Sequence, residues 1–151
     1  MKQFYPILLA LASIGLRPAA ITAQCSSTAG LGSASNLFTH IRNSTNPVAA
    51  DKLLNTVVFL HRNDAGVFGG NSGQLRYDVS YNGGTTFTNN VGVLNPLTTN
   101  LGRYPNVAIY NPTNNLVPSN AYLGYMAATI NSATSAWNGV VSGVSQLNSG
   151  T

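Results

Sequence analysis

The sequence predicts an all-β, antiparallel fold, and three observations carry that expectation. Short runs rich in β-branched and aromatic residues alternate with clusters of Gly, Asn, Ser, Thr and Pro, the pattern of strands punctuated by turns. No segment after the N-terminus holds a sustained helical period. Charged residues make up only 7 % of the chain and Glu is absent, so the Glu–Lys pairs that support surface helices are missing. Hydrophobic residues reach 44 %, which separates the chain from disordered sequences.

The elements follow in order. "MKQFYPILLALASIGLRPAAITAQC" opens with Lys2, continues with an apolar stretch from Phe4 to Leu16 and ends on small residues. It reads as a secretory signal peptide over residues 1–23, cleaved after Ala23. The apolar run is too short to span a bilayer and is followed by Arg17 and Pro18. Gln24 stands where a lipoprotein signal needs a small residue before Cys25, which argues against a lipid there. Residues 24–36 read as a flexible lead-in. "NLFTHIR" (36–42) alternates loosely as a strand, "NSTNP" is a turn, and "VAAD" is a short apolar piece. "NTVVFLHR" (55–62) is the clearest strand. "NDAGVFGGNSG" (63–73) is a glycine-rich loop. "QLRYDVS" (74–80) places Leu75, Tyr77 and Val79 on one face and Arg76, Asp78 and Ser80 on the other. Residues 85–94 form the returning strand. Further strands are expected at 106–110, 120–130 and 136–144. A faint self-similarity with an offset of roughly 58 residues relates the two halves.

Between the strands at 74–80 and 85–94 lies "SYNGGTTF". Gly83 and Gly84 accept positive φ without steric cost. Asn82 accepts from nearby N–H groups, Ser80 and Thr86 bond across the tip, and Phe87 folds inward. The residues supply a complete local reason for the pattern, and no substrate is needed.

That spacing, Ser80-x-Asn82-x-Gly84-x-Thr86-Phe87, resembles the Asp-box, or bacterial neuraminidase repeat, with Asn82 where the family has Asp. The phrases "VVFLHR", "GQLRYDVSYNGGTTF" and "RYPNVAIYNP" also look like the start of large secreted propeller proteins of Bacteroidetes type, which end in a type IX sorting domain. The resemblance implies a partial β-propeller of the sialidase-like type, built of antiparallel four-stranded blades. On this expectation residues 37–151 hold a first blade at about 37–100 and an incomplete second at about 101–151. The chain would be the N-terminal part of a longer protein, with the remaining blades as its partners. Standing alone it would expose apolar edges and self-associate.

Function is expected to be structural or interactive, with an extracellular glycan or protein as partner. The alternatives are the N-terminal portion of a sialidase-like glycoside hydrolase, with its catalytic residues mostly in blades beyond these residues, or a glycan-binding adhesin. The resemblance implies an arginine cluster for a substrate carboxylate, which suits the bidentate guanidinium. Arg62, Arg76 and Arg103 are the candidates, Arg103-Tyr104-Pro105 resembling the family's Arg-Ile-Pro signature, with Tyr81 at the hairpin tip as a further ligand contact. No Glu exists to activate a tyrosine nucleophile. Asp51, Asp64 and Asp78 would have to supply any carboxylate pair. The expectation is therefore no complete catalytic site in this chain. His40 and His61 are the only imidazoles, and nothing is spaced for zinc or repeated for calcium, so no metal or cofactor is expected. Once residues 1–23 are removed, Arg42, Lys52, Arg62, Arg76 and Arg103 face three Asp, a net charge of +2. These cations are scattered, which gives nucleic-acid binding no support. The single Cys forms no internal disulfide. Tyr77, Tyr81, Tyr104, Tyr110, Tyr122, Tyr125 and Trp137 read as strand packing first and sugar stacking second.

Overall fold

The computed structural model describes residues 27–35, 44–96 and 99–147. The signal segment, the strand expected at 36–42, Cys25, His40 and Arg42 lie outside those residues. Among the described residues seven strands form two antiparallel sheets: β1 (Val48–Asp51), β2 (Thr56–Arg62), β3 (Leu75–Ser80) and β4 (Thr88–Val91) in the order β1-β2-β3-β4, then β5 (Asn100–Tyr110), β6 (Tyr122–Asn131) and β7 (Trp137–Gln146) in the order β5-β6-β7. A single helical turn, α1 (Ala65–Phe68), interrupts the loop after β2, where only loop was expected. Asp64 caps it by accepting the Gly66 N–H at 3.1 Å.

β2 and β3 follow from their alternation. Val58, Leu60, Leu75, Tyr77 and Val79 are buried and join Leu54 and Val91 in one core with Val107, Ala121, Leu123, Ala127 and Leu147 of the second half. β5 packs on β1 and β2, so the core is the layer between the sheets. Asp78 and Ser80, on the opposite face of β3, are buried as well. The segment read as a lead-in carries the covering residues. Gly32 N–H donates to Asp78 Oδ2 at 2.8 Å, Ser33 N–H donates to Asn90 Oδ1 at 3.2 Å, and Ala65 N–H donates to Ser35 Oγ at 2.9 Å.

β4 is shorter than the strand expected at 85–94, because the β3–β4 register shifts between Tyr77↔Val91 and Val79↔Thr88. Asn90 takes φ 58° inside that bulge. Its N–H donates to Asp78 Oδ1 at 2.7 Å, a side chain completing what the ladder leaves open. β5 is longer than expected. Pro105 reads as a boundary in sequence, yet it sits in a bulge of an edge strand, where a missing N–H is tolerated. Gly102 and Val107 of β5 donate to Gly73 O and Asn46 O at 2.7 and 2.9 Å, tying the halves together through backbone.

This architecture corrects the propeller reading. The two sheets have four and three strands, and neither is closed or curled. Propellers require radial repetition around a channel. Two open sheets of four and three strands that share one core do not make such a ring. The misreading has a physical source. A meander and a tight hairpin look the same in sequence whatever the sheets later pack against.

Candidate functional site

The hairpin tip is held by its own residues. Ser80 Oγ donates to Asn82 Oδ1 at 2.8 Å and accepts the Gly84 N–H at 2.9 Å. Asn82 Oδ1 also accepts the Thr86 N–H at 2.9 Å, and Asn82 Nδ2 donates to Thr86 Oγ1 at 2.8 Å. Gly83 and Gly84 take φ 68° and 90°. The Gly83 N–H reaches Asn55 O at 2.8 Å, joining this tip to the β1–β2 turn. Phe87 is half-buried, lining with Tyr81 and Thr88 a depression of about 190 Å³.

Behind the tip, β2 and β3 enclose a polar cluster. His61 Nε2 stands 3.3 Å from Asp78 Oδ1 and its Nδ1 2.9 Å from the Arg62 carbonyl. Burial alone would raise the Asp78 pKa. Hydrogen bonds from His61 and from the Asn90 and Gly32 N–H groups outweigh it and hold the carboxyl below its ordinary value. Arg76 Nε donates to Asn63 Oδ1 and its Nη1 to Asn90 O, both at 2.8 Å, and its guanidinium lies 4.8 Å from the Phe68 ring centroid.

The structure brings Arg62 and Arg103 near enough for their charges to interact but sets Arg76 apart from them, so the three do not form one cluster. Arg62 is almost wholly buried and donates to Ser72 O at 2.7 Å and to Ser72 Oγ at 2.8 Å. Burial, and then the charge of Arg103, lowers its pKa to about 10. Arg103 donates to Gly102 O at 2.8 Å. Arg76 belongs to the opposite face of the first sheet, in the cluster with Asn63 and Asn90. Each carboxylate is also engaged structurally. Asp51 Oδ1 accepts the Leu54 N–H at 2.9 Å, Asp64 caps α1, and Asp78 holds the polar cluster. Among the described residues no three His, Cys, Asp or Glu side chains are grouped to hold a metal ion.

The aromatic residues divide. Tyr77 is buried, which pushes its hydroxyl pKa up to about 12. Tyr81 is half-buried, and its hydroxyl oxygen is enclosed without a hydrogen-bond partner. Tyr125 donates to Leu94 O at 2.7 Å, linking the second sheet to the first half of the chain. The others gather on the outer face of the second sheet. Tyr104 stacks on Trp137 with centroids 5.8 Å apart, and Tyr110 lies against Tyr122 at 6.4 Å.

That outer face is the most distinctive surface of the molecule. Leu123 and Ala127 of β6 point into the core, so Tyr122, Gly124, Met126 and Ala128 point away from it. The register places Tyr110, Ala108, Asn106 and Arg103 beside them on one side and Val144, Ser142 and Val140 on the other. Arg103, beside Ala128 at one end, is the one charged residue among these positions. Tyr110, Tyr122, Met126, Trp137, Val140 and Val144 are exposed by between 41 % (Tyr122) and 72 % (Val144). Gly124, Gly143 and Ala108 leave a shallow trough of about 360 Å³ beside Met126. Sequence reasoning singled out the aromatic residues but missed Met126, Val140 and Val144. The available signal was that β7 shows apolar residues in "VVSGV" without any charge on either side.

No protein-family model, no curated protein and no solved structure matches this chain. The resemblance to sialidase-like propellers therefore has neither similarity nor architecture behind it, and the type IX sorting association and the glycosidase and adhesin readings fall with it. Among the described residues no helix is long and apolar enough to cross a membrane.

Proposed function

We propose that this chain is exported and works by association, not by catalysis, with the outer face of the β5–β7 sheet as its binding surface. One observation carries the reading: six large apolar side chains are exposed together on a sheet face whose centre holds no charge. Apolar patches of that kind mark interaction sites more often than bare surface. The commitment of all three Asp side chains to structural hydrogen bonds supports a non-catalytic role. Export is supported by the basic, apolar and small-residue order of residues 1–23.

Two measurements test this. N-terminal sequencing of the protein recovered outside the producing cell is expected to begin at Gln24; an intact Met1 on the external protein would refute cleavage after Ala23. A photo-crosslinking residue placed at Met126 or Val140 in those cells is expected to give adducts that the same residue at exposed Leu116 does not. Equal labelling at all three positions, or none, would overturn the assignment of the face.

A further inference from the structure

We infer that the occupant of this face is a second copy of the same chain, docked face to face about a two-fold axis; the inference rests on the association reading above. Charge is the first argument. A symmetric contact brings each residue near its own kind, so any charge at its centre meets a like charge. Among the positions from Tyr122 to Ala128 and their neighbours on β5 and β7 the one charged residue is Arg103, beside Ala128 at the end of the face, so the centre around Gly124 and Met126 holds none. Apart from Arg103, the described cations Lys52, Arg62 and Arg76 and the three Asp belong to the first sheet and its loops.

Area is the second argument. Three aromatic rings, one Met and two Val at these exposures present on the order of 700 Å², close to the ~800 Å² per partner of a standard stable interface. Shape is the third. The trough over Ala108, Gly124 and Gly143 lies next to the protruding Met126 and Val144. A two-fold contact sets the protrusions of one copy over the trough of the other. The ring pairs Tyr104–Trp137 and Tyr110–Tyr122 lie on either side of this centre and supply the Tyr and Trp side chains in which interface hot spots are rich.

Sedimentation equilibrium of the mature chain, purified alone, tests the inference. The expected mass is twice that of one chain. Val144→Lys and Met126→Lys are each expected to raise the dimer dissociation constant by at least about 30-fold, since each buries an unpaired ammonium. Leu116→Lys is expected to leave it unchanged. Both face positions are solvent-exposed within one chain, so near-UV circular dichroism should be preserved. If a lysine variant fails to fold, Val140→Thr serves, with a smaller weakening in the same direction. A wild-type monomer whose face still cross-links in cells would refute the second copy while leaving the association reading intact. A monomer without such cross-links would refute both. A dimer that ignores both lysines, or assembly growing past two chains, would refute the face and point to the free edge of β7.

Discussion

At the scale of single residues, Asp78 explains more of this molecule than any other side chain. It takes hydrogen bonds from the Gly32 and Asn90 N–H groups and lies beside the His61 imidazole, all in a buried site. Replacing it with Asn keeps the shape but presents an amide N–H₂ to donors. Asp78→Asn is expected to cost about 2–3 kcal/mol at neutral pH, the penalty of leaving buried donors unmatched. The pH dependence gives the sign. The carboxyl is held below its ordinary value when folded, so the unfolded chain takes up its proton first. The contribution is complete above the unfolded value of ~4 and is lost as pH falls through the lower folded value. Urea unfolding of the wild type should therefore approach the variant as pH drops below ~4, while the variant itself loses less. Parallel curves would show that Asp78 is not the group responsible. The alternation of "QLRYDVS" separated Asp78 from Leu75, Tyr77 and Val79. What covers that side was not legible, because Gly32 and Asn90 are distant in sequence.

Elements were legible where period and punctuation agree. β2 and β3 stand within a residue of their expected bounds for this reason. β4 and β5 were misjudged at their bulges, where Asn90 and Tyr104 take φ 58° and 52°, values that no residue pattern announces for a non-glycine. The β3–β4 hairpin is the most readable element, since its turn is closed by its own side chains. Asn82→Ala should cost about 1–2 kcal/mol, because it removes acceptors for the Thr86 N–H and the Ser80 hydroxyl together. Asn82→Asp should stay within about 0.5 kcal/mol: it keeps both acceptors, and the Thr86 hydroxyl turns to donate. Urea midpoints of the two variants check the pair, and equal losses would mean that the acceptor oxygen is not what matters.

At the scale of the whole molecule, sequence periodicity states which segments are strands but not what their sheets pack against. That is why a meander with an Asp-box-like turn suggested a ring, and why an uncovered outer face went unnoticed. The link between the sheets depends on a close approach. A Cβ at Gly143 would press into the Tyr125 ring, whose hydroxyl reaches Leu94 O across the seam. Gly143→Ala is expected to displace that ring and cost about 1–3 kcal/mol as overpacking. Tyr125→Phe, which deletes only the hydrogen bond, should cost about 1 kcal/mol. Thermal melts of both variants check the order, and a larger loss for Tyr125→Phe would contradict it.

The carboxylate of Asp78 also sets a timetable. Gly32 must wait for a partner 46 residues downstream, and that partner is fully engaged only when Asn90 arrives a further 12 residues on. A chain emerging from the ribosome thus carries Gly32 without this partner until most of the first sheet has followed. Closing this site ties residues 27–35 to the first sheet only after its fourth strand has been made.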